Sequence, residues 1–130
     1  MEVADYNNKP QSPLCNILEM IIEKKEVIPF FLITPSCNIF NAVIVNDCFG
    51  TVSSPVFTIK ELNRKSGCLV LTILIPIDME GCPVDIGSDL YSLLLTSHHI
   101  TLNLDVVCGI IPLPTELINR YLPIIEPKCK

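Results

Sequence analysis

Between Ser12 and Glu26 the apolar residues recur at helical spacing. Leu14, Ile17, Leu18, Ile21 and Ile22 make one stripe, and Glu19, Glu23, Lys24 and Glu26 lie off it. Ser12 is a good N-cap, and Pro13 is tolerated in a first turn because its missing N–H has no helical partner there. Pro29 then interrupts helical bonding, and Phe30, Phe31, Leu32 and Ile33 favour an extended run, so a strand is expected over Ile28–Thr34. Further runs follow at Ile39–Val45, bounded by Pro35-Ser36-Cys37-Asn38 and Asn46-Asp47-Cys48-Phe49-Gly50, and at Pro55–Leu62. Asn63-Arg64-Lys65-Ser66-Gly67 reads as a hairpin connection into Cys68–Ile75. That run is apolar on both faces and so is expected as a central strand.

Pro76 to Ser88, with Gly81, Pro83 and Gly87, reads as a loop before an extended run at Leu90–Leu95. Alternation is clearest at His99–Val106, with Ile100, Leu102, Leu104 and Val106 on one face and His99, Thr101, Asn103 and Asp105 on the other. Val107–Ile111 is expected to continue this strand past a kink at Gly109, with a helical turn over Thr115–Tyr121 after Pro112-Leu113-Pro114. Short strands between Gly, Pro and Asn clusters, preceded by one amphipathic N-terminal helix, predict a mainly β fold: an antiparallel β-sandwich or small barrel. The organisation expected is a polar arm over 1–11, one domain over 12–122 and a tail over 123–130, since 130 residues suit a single core.

Composition adds to this picture. Hydrophobic residues make up 49% of the chain and charged residues 18%, with a mean hydropathy of +0.49, which argues against disorder and for heavy burial or association. No apolar run approaches the roughly 20 residues a membrane-spanning helix needs. The start of the chain, Met1 to Lys9, lacks the basic end and apolar core of a secretory signal, so no signal peptide is expected. A formal charge of −5 leaves no basic stripe for phosphates, and nucleic acid is not expected as a partner.

Seven cysteines are the residues with the most chemistry to offer, and their odd number leaves at least one thiol free or bridged to another chain. Cys15, Cys37, Cys48, Cys68, Cys82, Cys108 and Cys129 include no C-x-x-C, so a zinc ribbon is not expected. Cys68 and Cys108 fall in expected strands and are read as buried small hydrophobes. Cys37, Cys48 and Cys82 in loops, and Cys129 in the tail, are the candidates for intermolecular disulfides. His98 and His99 are adjacent in a strand and point to opposite faces, so they do not make one ligand set. Asp78, Glu80, Asp85 and Asp89 do not match a calcium-binding loop and read as a solvated loop. No phosphate loop, G-x-S-x-G or H-E-x-x-H occurs, so neither a catalytic residue nor a cofactor is expected and the chain is not read as an enzyme.

Five segments in order carry a family resemblance: the helix Leu14–Glu26; Pro29-Phe30-Phe31-Leu32-Ile33-Thr34; Ser53-Ser54-Pro55-Val56-Phe57-Thr58-Ile59; Gly67-Cys68-Leu69-Val70-Leu71-Thr72-Ile73-Leu74; and Thr96 to Ile110, ending in Val107-Cys108-Gly109-Ile110. In these the chain resembles the spore coat protein Y/Z family of outer coat and exosporium proteins. The resemblance implies a structural protein made in the mother-cell cytoplasm without a signal peptide and deposited on the spore. Its implied partners are copies of itself and other spore coat proteins, in layers cross-linked by disulfides. The family's cysteine-dense stretch after the first helix is absent, because Lys24-Lys25-Glu26-Val27-Ile28 runs straight into the strand. The rival expectations are an intracellular module binding a heterologous protein by strand addition or an apolar face, and a small cysteine hydrolase or redox protein.

Overall fold

The computed structural model describes residues 13–25, 27–87 and 89–121. Ser12, the arm over 1–11 and the tail with Cys129 lie outside the described residues. The fold is mainly β, with antiparallel sheets and one N-terminal helix, α1 (Pro13–Lys24). Seven strands follow: β1 (Phe30–Ile33), β2 (Ala42–Asn46), β3 (Gly50–Ser54), β4 (Val56–Asn63), β5 (Cys68–Ile77), β6 (Ser92–Asn103) and β7 (Gly109–Pro112). Five form one sheet in the order β6-β5-β4-β1-β7, and β2 and β3 form a separate hairpin sheet.

The larger sheet lays Phe30, Leu32, Phe57, Leu69, Leu71, Ile73, Ile75 and Ile77 against Ala42, Ile44 and Val52 of the hairpin and Leu18 of α1. This inter-sheet layer is the main core, and it fixes which side of the hairpin looks outward. A second, smaller cluster on the opposite face joins Val56, Leu74 and Leu93 to Phe31, Ile86, Leu90, Leu113, Leu117 and Ile118. The expected helical stripe is only half used: Leu18 and Ile21 are buried, whereas Ile17 and Ile22 are exposed. Arg64 holds α1 to the β4–β5 connection through Glu19 Oε2 at 2.7 Å and Asn16 Oδ1 at 3.1 Å.

Four expectations about the strands need correction. Gly50, expected in the Asn46–Gly50 turn, and residues 51–54, which fall in no expected run, form β3; the strand has a single inward apolar residue, Val52, and so little hydrophobic pattern. Pro76 does not end β5, which pairs on to Ile77↔Ser92. A strand residue's N–H and C=O point to the same side, and Pro76 O accepts from Val84 N on the side where β4 has already ended at Val56↔Leu74. The missing N–H therefore breaks no ladder bond. The runs at Leu90–Leu95 and His99–Val106 belong largely to one strand, β6, which stops at Asn103 because its side chain accepts from Asp105 N and starts a 3-10 turn over Leu104–Val106. Finally, β7 does not continue β6: it crosses to the opposite edge and pairs with β1 from Phe30↔Pro112 to Ile33↔Gly109.

Ser54 joins the two sheets. Fully buried where the chain leaves β3 for β4, it donates from Oγ to Leu74 O and accepts from Val56 N at 3.1 Å. The Ser54-Pro55-Val56-Phe57 pattern thus has a physical content: a buried hydroxyl at the crossing, then Val56 into one core cluster and Phe57 into the other.

Candidate functional site

The hairpin presents the most distinctive surface. Its inward residues Ala42, Ile44, Val52 and Ser54 are buried, so alternation sends Val43 and Val45 outward, where they are 67% and 70% exposed. Ile39, just before the strand, is also 44% exposed. Their cross-strand neighbours are polar, with Val43 opposite Ser53 and Val45 opposite Thr51. The apolar stripe therefore belongs to β2 alone. No charged residue occurs from Val27 to Asn46, although the chain as a whole carries −5.

The tip of the hairpin is set by local chemistry. Asn46 Oδ1 accepts from Cys48 N at 2.8 Å and Phe49 N at 3.2 Å, and Gly50 takes φ +78°, as a three-residue hairpin loop requires. Cys48 is thereby fixed on an exposed turn at one end of the stripe. At the other end Cys37 is also exposed, at φ +68° in the turn closed by Cys37 N to Thr34 O at 2.8 Å. Both carry free thiols.

The four sheet edges differ in how they are guarded. On β6 the stretch Thr96-Ser97-His98 bulges opposite Ile73, with Thr96 Oγ1 donating to Ile73 O at 2.6 Å and accepting from His98 N at 3.1 Å. The start of that edge is covered by the 115–121 segment, through Asn119 N to Leu93 O at 2.8 Å and Leu95 N to Asn119 Oδ1 at 3.1 Å. Strand β7 is four residues long and ends in Pro112. The β3 edge looks across an open groove at the 83–87 loop and is polar at Thr51 and Ser53. Within its range β2 has no proline, charge or bulge, and β3 is the one strand it pairs with among the described residues. Bulges, charges and prolines are among the devices that keep edges from pairing with other chains, and residues 42–46 carry none of these three.

The remaining cysteines depart from expectation in part. Cys108 is exposed, not buried: it follows the 3-10 turn and is tied to β1 only through its backbone, N–H to Ile33 O at 2.7 Å, while its neighbour Val107 takes the buried position. Cys68 is half-buried rather than fully inside, because at the start of β5 its side chain lies on the sheet face opposite the main core, while Leu69 turns into it. Cys15 and Cys82 are half-buried.

A polar row that sequence spacing did not reveal crosses the outer face of the large sheet. Thr58, Thr72 and His99 are aligned by the β4–β5 and β5–β6 registers, and Lys60 occupies a bulge between Ile59 and Glu61. Thr72 Oγ1 lies 3.0 Å from His99 Nδ1, and Lys60 Nζ lies 3.3 Å from His99 Nε2. An ammonium only donates, so Nε2 is the acceptor in the Lys60 contact, and Nδ1 and the Thr72 hydroxyl share the second hydrogen bond. The row holds the sheet face together. His98 is half-buried and His99 exposed, on alternate sides of the strand.

In the acidic loop, Asp78 Oδ1 accepts from Glu80 N at 2.9 Å and Cys82 N at 3.0 Å, so this carboxylate shapes the turn. Among the described residues no three His, Cys, Asp or Glu side chains converge as a metal site would need, and no helix is long and apolar enough to cross a membrane. No protein-family model matches this chain, and neither a curated protein nor a solved structure does.

Proposed function

We propose that this chain is a structural, self-associating protein of the bacterial spore coat or exosporium, forming ordered layers with intermolecular disulfides as locks. The observation that carries the reading is the edge of β2, uncharged and unpaired among the described residues, with Val43 and Val45 outward and exposed thiols at Cys48 in the turn that follows the strand and at Cys37 in the turn before Ile39. Hydrophobic side chains exposed in a row along an edge strand favour association, and the backbone groups on its outer edge, unpaired among the described residues, give it direction. Two exposed thiols flanking that edge are accessible to another chain's thiol, and Cys108 offers a third. The resemblance to the spore coat Y/Z family supplies the setting: synthesis in the mother cell, deposition on the spore, and other coat proteins as further partners. No catalytic role and no cofactor is proposed.

Electron microscopy of the purified protein, with and without reductant, tests this. Sheets or large regular assemblies that loosen on reduction are expected. Dispersed single particles under both conditions would sink the reading, and a lattice indifferent to reductant would remove the disulfides from it while leaving assembly in place.

A further inference from the structure

From the geometry of the hairpin we infer that β2 pairs antiparallel with β2 of a second copy across a two-fold axis, with Val43 of each chain opposite Val45 of the other. The inference rests on the self-association reading and adds the surface and the register. Opposed residues in an antiparallel pair lie on one face, so outward Val43 and Val45 can only be set against outward residues. Three registers satisfy this near the strand centre. Val43 against its own copy leaves Val45 opposite Asn41, and Val45 against its own copy leaves Val43 opposite Asp47. Only the register centred on Ile44 sets all four valines side by side.

Charge favours a second copy as the occupant of this edge. Two chains of formal charge −5 repel at most approaches, but the uncharged stretch from Val27 to Asn46 lets them meet here without opposing like charges. The pairing is isologous, because one edge meets its own image, and it closes at two chains. Extension into a layer then falls to a different contact. A five-residue strand spans about 17 Å and buries much less than the roughly 1,200 Å² of a standard interface, so the pairing is weak and reversible alone and gains strength by repetition.

Sedimentation velocity of the full chain in reductant, for wild type, Val43→Lys, Val45→Glu and an equimolar mixture of the two variants, tests the register. Wild type is expected to associate reversibly, and each variant alone to associate at least about tenfold more weakly, because two-fold symmetry places its new charge on the rim of the same small contact twice. The mixture is expected to recover, since the introduced ammonium of one variant then faces the introduced carboxylate of the other and the remaining valine pair is intact. Recovery also shows that both variants are folded. If Val43→Lys associates like wild type, the β2 edge is wrong while self-association stands. If both variants are monomeric and their mixture stays so, the register is wrong. A wild type that is monomeric throughout overturns the underlying reading as well.

Discussion

Replacing Ser54 with alanine should destabilise the protein far more than the loss of one oxygen atom suggests. The hydroxyl is fully buried at the crossing from β3 to β4, donating to Leu74 O and accepting from Val56 N at 3.1 Å. Val56 is itself buried, so alanine leaves a buried N–H without its acceptor, a loss of about 1–3 kcal/mol, and removes the bond to Leu74 O, about 1 kcal/mol more. The total is about 2–4 kcal/mol, a large part of the roughly 5–15 kcal/mol by which such domains are stable. Urea unfolding should show a lower midpoint with an unchanged slope, and thermal unfolding a fall in Tm on the order of 10 °C. Ser53→Ala is the control: its side chain is exposed on the outer face of the same strand, and a change within about 0.5 kcal/mol is expected. A Ser54→Ala cost below about 0.5 kcal/mol would refute the claim that this hydroxyl joins the two sheets.

Further outcomes follow from the same structure. Phe57→Ala, at a fully buried position 5.7 Å from the Phe40 ring centroid, should cost about 3–5 kcal/mol in denaturant unfolding, and a loss under about 1 kcal/mol would contradict the placement of the core. Thr96→Val removes the hydroxyl that serves Ile73 O and His98 N in the β6 bulge; about 1–3 kcal/mol is expected, with faster amide exchange near His98, and unchanged exchange there would count against it. Gly50→Ala should lose about 1 kcal/mol by backbone strain alone, since φ is +78° and the added methyl meets nothing within 4 Å. In dilute, reduced protein, alkylation followed by peptide mass spectrometry should label Cys37, Cys48 and Cys108 before Cys68; early labelling of Cys68 would contradict the burial pattern.

The elements with one apolar face or two were legible in the chain. Periodicity located α1, and the apolar runs located β1, β2, β4 and β5, because each contributes several residues to the inter-sheet core. What stayed hidden depends on neighbours distant in sequence. Strand β3 buries only Val52 and Ser54, so its pairing with β2 is what makes it a strand. Pro76 reads as a terminator until it is seen that β4 no longer lies beside it. Cys108 lies outside a strand because Asn103 turns the chain into a 3-10 segment at Leu104–Val106, although the alternation of apolar and polar residues runs on through it. The contact of Lys60, Thr72 and His99 needs two bulges to bring it into line, and bulges leave little trace in composition. For the candidate surface, the sequence marks Ile39–Val45 as apolar, but only the packing of Ala42 and Ile44 inward decides that Val43 and Val45 are left outside.

The most direct test of self-association is the molar mass of the intact chain in solution, measured by light scattering behind size-exclusion chromatography over a wide concentration range in reductant. The mass should rise with concentration above the 14.5 kDa of one chain. A mass that stays at one chain over the whole range would contradict the account.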